Sequence, residues 1–366
     1  MKIGILTFHA AHNFGSMLQA YALKNYIATT FDAEVEIVNF RTSVQKDIYS
    51  VITKRKGMKY FIKNMYSMLE YIPLKKKHEK FENFLQTKLS CYDECNTLDE
   101  INSKHYDIVI AGSDQIWNVN TNDFEWIYLL EGINTRKISY AVSCGPNLVS
   151  IEEKERISRN LSQFYSISTR DNATKNFVKN LSNKEAEVVC DPVLLMDKEK
   201  WIDLSNEIVL DLPEKYIFFY TLSCNERMRK IVQQISKVLK LPVVVPHNTN
   251  QHDLFMKSNR KLKTGPIEFL NLMNNASVVV TSSFHAMLFS IIFNKQFYII
   301  DGMKDNRKKD ILLKYNLQSQ SIDDTLNEEI IKEQYDNVKC DFSDIVMNLR
   351  ENGEAFLRRN CNDEHM

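Results

Sequence analysis

The sequence predicts an α/β protein made of two Rossmann-like domains with a cleft between them. Three observations carry this expectation. Short apolar runs alternate with helix-forming stretches along almost the whole chain. Gly15, Gly112 and Gly145, three of only nine glycines, follow predicted strands, where an open sheet places its ligand crevice. At 366 residues the chain also exceeds the roughly 250–300 residues at which a single core stops growing.

Lys2-Ile3-Gly4-Ile5-Leu6-Thr7-Phe8 is an apolar run of the kind buried in a parallel sheet. The polar turn His9-Ala10-Ala11-His12-Asn13-Phe14-Gly15-Ser16 leads into a helix over 17–27, which completes a βα unit. Further strands are expected over 34–40, 106–112 and 137–143, the last ending at Cys144-Gly145. Residues 41–90 read as two helices interrupted near Pro73. A helix over 151–163, a strand over 165–168, a helix over 171–181 and a strand over 186–190 follow. Asp191-Pro192 punctuates the chain before a second series. That series has strands over 216–222, 242–246, 278–281 and 296–300, with helices over 225–240, 266–275 and 284–294. Helices over 306–316 and 341–359 finish the chain. The expected domains are 1–195, carrying a basic helical insertion at about 41–90, and 196–340, with a C-terminal helix in 341–366 packing back toward the first.

Composition describes a folded globular chain, with 44% hydrophobic and 26% charged residues. The 47 Lys plus Arg balance 47 Asp plus Glu, which argues against a dedicated nucleic-acid binder. Balance hides two poles. Residues 41–90 hold twelve Lys/Arg against four acids, net +8, and residues 321–366 hold five against twelve, net −7. Tyr49, Tyr60, Phe61, Tyr66, Tyr71, Phe81 and Phe84 are interleaved with the basic residues. Two readings stand: a helix pair lying on an anionic membrane surface, or a solvated basic face with its aromatics packed on the sheet. No apolar run approaches the ~18 residues of a membrane span, and the N-terminus opens directly into a strand pattern without a signal-peptide pattern. The expectation is a cytoplasmic protein, peripheral at most at the inner membrane. Seven cysteines without a CxxC pair suggest reduced thiols and no metal cage.

His285 falls in the first turn of the helix that follows Val278-Val279-Val280-Thr281-Ser282-Ser283, where backbone N–H groups favour an anion and an imidazole can exchange a proton. A cap or packing residue is the alternative. Arg170, just past a strand in Ser168-Thr169-Arg170-Asp171, can fork onto a carboxylate or phosphate, or pair with a neighbouring acid. Gly112-Ser113-Asp114-Gln115-Ile116-Trp117-Asn118 sets polar groups beside an indole and suits a sugar; a capped helix with Trp117 in the core is the competing reading. No dinucleotide fingerprint, Walker loop, HExxH or GxSxG is found.

The chain resembles the polysaccharide pyruvyl transferases. The residues that carry the resemblance are Lys2-Ile3-Gly4-Ile5-Leu6-Thr7-Phe8 with Asn13-Phe14-Gly15-Ser16-Met17-Leu18-Gln19, the 112–118 segment, Ser139-Tyr140-Ala141, Ser168-Thr169-Arg170-Asp171, Asp191-Pro192-Val193-Leu194-Leu195 and Thr281-Ser282-Ser283-Phe284-His285-Ala286. They come in family order across residues 2–300. The resemblance implies a glycosyltransferase-B-like fold and transfer of pyruvyl from phosphoenolpyruvate to a sugar as a ketal, with no further cofactor. It implies that His285 is the general acid and that Arg170 binds the donor. Ser283, Lys295, Gly15 and Ser16 are the further donor-binding candidates. Gln115, Trp117, Asn118 and Asn13 are acceptor-binding candidates, and Asp114 is the candidate base. Two departures stand out: some members have arginine where this chain has Ser283, and many have glycine where it has Ala286. A helix N-terminus stabilises an anion by only ~0.3–1 kcal/mol, whereas a donor Kd near 0.1 mM needs about 5.5 kcal/mol. A cation is therefore required, with Arg170 first and Lys295 second. A nucleotide-sugar glycosyltransferase and a non-catalytic carbohydrate-binding scaffold are the alternative functions. The expected acceptor is a sugar of a capsule or exopolysaccharide, free or polyprenyl-diphosphate-linked.

Overall fold

The computed structural model describes residues 1–145, 149–246, 260–261, 263–322, 328–337 and 340–362. Residues 363–366 of the expected C-terminal segment lie outside that set. The chain divides into two compact units, Met1–Met196 with Leu349–Met366, and Asp197–Asn348.

The first unit is built on a parallel sheet of β1 (Lys2–Leu6), β2 (Glu34–Ile37), β3 (Ile108–Ala111), β4 (Arg136–Val142), β5 (Ser166–Thr169) and β6 (Glu187–Val188), in the order β2-β1-β3-β4-β5-β6. The chain goes from β1 to β2 on one side and then crosses back to lay β3 on the other, with Ile3 opposite Ile108. The order reverses between β1 and β3, so the loops leaving their carboxyl ends diverge and open a crevice. Ile3, Ile5, Leu6 and all of β3 are at most 1% exposed. That burial on both faces is why these strands read as continuous apolar runs. β1 stops short of the expected Phe8 because Thr7 Oγ1 donates to the Ser113 carbonyl and the His9 N–H closes onto Thr7 O.

Asn13 caps α1 (Phe14–Phe31), whose Met17, Leu18, Ala20, Leu23 and Ile27 are fully buried. Residues 41–90 form three helices, not two: α2 (Ser43–Tyr49), α3 (Met58–Leu69) and α4 (Tyr71–Thr87). The break falls at Glu70, and Pro73 lies inside the first turn of α4. A missing N–H there sacrifices no intrahelical bond, so proline does not interrupt the helix. The arm's aromatics divide: Phe81 and Phe84 are buried against Phe14 and Tyr21 of α1, while Phe61 is 62% exposed. α5 (Leu98–Asn102) was not expected, although its Thr97–Glu100 capping box is a sequence signal. α6 (Ile151–Leu161) and α7 (Asn172–Ser182) lie close to their expected spans.

The second unit begins with α8 (Lys198–Ser205) and alternates β7 (Ile217–Tyr220), α9 (Glu226–Leu239), β8 (Val243–Pro246), β9 (Arg260–Lys261), α10 (Pro266–Asn275), β10 (Val278–Thr281), α11 (Phe284–Ile292), β11 (Gln296–Ile300), α12 (Asn306–Lys314), β12 (Ser321–Ile322) and α13 (Glu328–Asn337). Its parallel sheet has the order β12-β11-β10-β7-β8-β9, so the reversal lies between β7 and β10. All nine residues of α11 are buried, as its nearly all-apolar sequence requires, and Phe289 packs edge-on against Trp201 at 5.0 Å. α8, α13 and the two-residue strands β9 and β12 were not expected; two residues carry no readable period.

The last helix, α14 (Ser343–Asn360), joins the first unit from Leu349 onward. Phe356 and Leu357 are fully buried, and Arg350 donates to the carbonyls of Leu194 and Met196 at 2.7 and 2.9 Å. Among the described residues no helix is long and apolar enough to cross a membrane.

Candidate functional site

Each unit gathers polar side chains where its strand order reverses. In the first unit Ser16, from the first turn of α1, donates Oγ to Asp114 Oδ2 at 2.5 Å. Asp114 follows β3 with φ +81°, in the left-handed region that aspartate adopts more readily than most residues. Its Oδ1 accepts the Gln115 N–H at 2.8 Å and faces Arg170 Nη2 at 3.6 Å. Arg170 then donates Nη1 to Asp191 Oδ2 at 2.8 Å. Asp191 Oδ1 accepts the Val193 N–H, which caps the short turn at Pro192–Leu194. Ser113 Oγ donates to the Ala141 carbonyl at 3.0 Å, beside an irregularity in β4 where Ala141 takes φ +50°. Two non-glycine residues in the left-handed region within one hydrogen-bonded cluster mark a place where packing overrides local preference.

This cluster corrects the expectation that Arg170 binds the donor. Its side chain is 1% exposed and lies between two carboxylates, so the triad carries a net negative charge. Burial opposes the guanidinium charge, but Asp191 and Asp114 outweigh it and raise the Arg170 pKa. An incoming anion would meet the acids, not a free cation. Gly15 and Ser16 likewise direct their N–H groups to Asn13 Oδ1, at 2.9 and 3.4 Å, so the helix cap takes the donors that would hold an anion and the Asn13 oxygen expected to bind an acceptor.

Trp117 is not a sugar platform. It is 2% exposed, its indole N–H donates to the Tyr128 carbonyl at 3.0 Å, and its ring meets Phe164 edge-on. The segment is a loop and not a capped helix, so the core reading of Trp117 holds without the helix. Gln115 stays half-buried and accepts from Asn118 Nδ2 at 3.3 Å. Gly145, at φ +61°, lies against both, and a Cβ there would sit 2.6 Å from Asn118 Nδ2.

In the second unit Ser283 caps α11 by accepting the Ala286 N–H, and His285 is the second residue of that helix, 8% exposed. Thr221, at the end of β7, and Ser282 share a hydrogen bond of 2.5 Å across the reversal. The Ser283 N–H donates to Thr281 Oγ1 at 2.9 Å, which fixes the turn that carries His285. Sequence reasoning missed Lys308: it is 5% exposed, and its ammonium donates to the Ser282 carbonyl at 3.0 Å. The Arg307 guanidinium lies 5.3 Å from the Phe284 ring. These two cations on α12 meet the His285 turn although the sequence separates them by more than twenty residues.

Lys295 is corrected as well. It stands at the amino end of β11, whereas His285 follows the carboxyl end of β10. A nine-residue helix between them spans about 13 Å. Burial and then Lys198 lower the Lys295 pKa.

A second polar cluster lies beside the β1–α1 loop. His12 Nε2 is 3.1 Å from Glu82 Oε1, and Arg41 grips both Glu82 oxygens at 3.0 and 3.1 Å. His12, His78 and Glu82 place ligand atoms within 4.8 Å of one another, the one such group among the described residues. The Arg41 fork occupies the carboxylate, so the arrangement reads as an ion-pair network.

A family model described as Polysaccharide pyruvyl transferase matches residues 13–302. No curated protein matches the sequence. Among solved structures, the UDP-GlcNAc 2-epimerase from Methanocaldococcus jannaschii is similar at 15% identity and a TM-score of 0.51, covering 98% of this chain and 99% of that one. The UDP-GlcNAc 2-epimerase from Neisseria meningitidis bound to UDP-GlcNAc is similar at 10% identity and a TM-score of 0.50, covering 96% and 99%. At such identities the likeness shows the fold, a pair of Rossmann-like domains of the glycosyltransferase-B-like class.

Proposed function

The chain belongs to the polysaccharide pyruvyl transferase family, and from that premise we propose that it moves the enolpyruvyl group of phosphoenolpyruvate onto a hydroxyl pair of a cell-surface polysaccharide sugar or its lipid-linked precursor. The observation that carries this reading is His285, an imidazole in the first turn of a nearly all-apolar buried helix, on a turn fixed by Thr281, Thr221 and Ser282.

In this reaction His285 gives a proton to the donor's methylene carbon, and C2 becomes oxocarbenium-like. One sugar hydroxyl adds to C2, the C2–O bond to phosphate breaks, and the second hydroxyl closes the ketal. Of the two hydroxyl protons, one restores His285 and the other leaves on phosphate. A positioned acid of this kind contributes typically 10²–10⁴-fold. The donor's negative charge exceeds what the α11 N-terminus alone supports, at ~0.3–1 kcal/mol. Lys308, already in contact with the turn, is the cation that fits that need, whereas Arg307 is forked onto Asp305 at 2.7 and 3.1 Å.

Phosphate release from phosphoenolpyruvate across a panel of free and lipid-linked sugars tests the reaction. We expect release with at least one glycan and its loss in a folded His285→Ala variant. Full turnover by that variant would remove His285 from the mechanism, and no release with any glycan would favour a carbohydrate-binding role.

A further inference from the structure

α3 is built inside out. Met58, Phe61, Ile62, Met65, Met68 and Leu69 recur at the three- and four-residue spacing of one helix face, and each is 52–85% exposed. The opposite face is polar and points inward. Asn64 Oδ1 accepts the Thr53 N–H at 3.0 Å, Asn64 Nδ2 donates to Thr53 O at 2.9 Å, and Ser67 is 1% exposed. These bonds fix the rotation of the helix, so the apolar stripe cannot turn inward without breaking them. The stripe continues through Ile72, 69% exposed, at the start of α4.

Charge selects the occupant. Residues 54–80 hold nine Lys/Arg against two acids, net +7. Lys54, Lys56, Lys59, Lys75 and Lys76 are exposed. A second copy of this chain, packed about a two-fold axis, would set the two positive segments face to face, and protein interface cores are depleted of lysine. An anionic lipid surface complements both the stripe and the lysines.

We propose that α3 docks the protein on an anionic bilayer, the apolar stripe entering the headgroup region and the flanking lysines meeting lipid phosphates. The sequence supplies a basic aromatic arm; the structure assigns the contact to one face of α3 and excludes the buried Phe81 and Phe84 from it.

The test is co-sedimentation of the full chain with phosphatidylcholine–phosphatidylglycerol vesicles and with phosphatidylcholine alone. Binding to the anionic vesicles only, falling as salt rises, is expected. Lys59→Gln should lower the partition about fivefold, at ~1 kcal/mol per surface lysine. A Phe61→Ser and Met65→Ser double variant should abolish binding with an unchanged melting temperature, because both side chains are exposed. The proposal is overturned if neither vesicle binds, if both bind equally, or if the double variant binds as well as the parent. A self-associated species in sedimentation velocity, dispersed by the double variant and without vesicle binding, would instead give the stripe to a second copy.

Discussion

Arg170 and Asp191 form a buried ion pair, Nη1 to Oδ2 at 2.8 Å, with both side chains at most 1% exposed. Removing one partner from such a pair leaves an uncompensated buried charge, which costs about 3–5 kcal/mol. Arg170→Ala should therefore lower the denaturation free energy by that order, and Asp191→Ala by less, because Asp114 still faces the guanidinium. A variant that unfolds like the parent while its donor KM rises would return Arg170 to the donor site.

The motifs Ser168-Thr169-Arg170-Asp171 and Asp191-Pro192 are each readable in the sequence, but their union is not, because twenty-one residues separate the charges that meet. The parallel strands were legible for the opposite reason: burial on both faces makes each a short apolar run. His285 was legible because an apolar strand, a Thr-Ser-Ser turn and an apolar helix follow one another directly. Lys308 was not, since only the crossing from β11 into α12 brings it back to Ser282. α3 shows a further limit. Periodicity reveals that its apolar residues share a face, but which face packs is decided by Asn64 and Thr53.

Lys308 supports the turn that carries His285 through its bond to the Ser282 carbonyl. Lys308→Met keeps most of the side-chain volume and leaves that carbonyl unsatisfied, a cost of about 1–3 kcal/mol. Chemical denaturation should register that loss. Phosphate release per folded molecule should also fall, and an unchanged kcat and KM would show that the turn does not depend on Lys308.

Acid should weaken the first unit through His12. Burial outweighs the attraction of Glu82 and holds the His12 pKa down to about 4, so the neutral ring donates to the carboxylate at neutral pH. The unfolded chain takes up that proton first. Stability from this residue is thus full above pH 6.5 and declines toward pH 4, by roughly 3 kcal/mol at most. Burial of Glu82 favours its neutral form, but His12 and Arg41 outweigh it and lower its pKa to about 2, which adds a further loss as the pH falls below 4.5. His12→Gln should flatten the slope of stability between pH 6.5 and 4. An undiminished slope in that variant would assign the titration elsewhere.

Gly353 sets two effects against each other. Alanine in a helix interior is favoured over glycine by up to ~1 kcal/mol, so Gly353→Ala in α14 should stabilise if the helix were exposed. At this position a Cβ would fall on Tyr140 Oη and lie 2.9 Å from Cys190 Sγ. Tyr140 is fully buried, so relieving the clash requires α14 to shift away from β4. Overpacking of this kind costs typically 1–3 kcal/mol, more than the helix gains. Gly353→Ala should therefore lower the denaturation midpoint, and Tyr140→Phe, which removes the clashing oxygen, should recover part of the loss in the double variant. A stabilised Gly353→Ala single variant would mean that α14 does not pack as closely as the geometry requires.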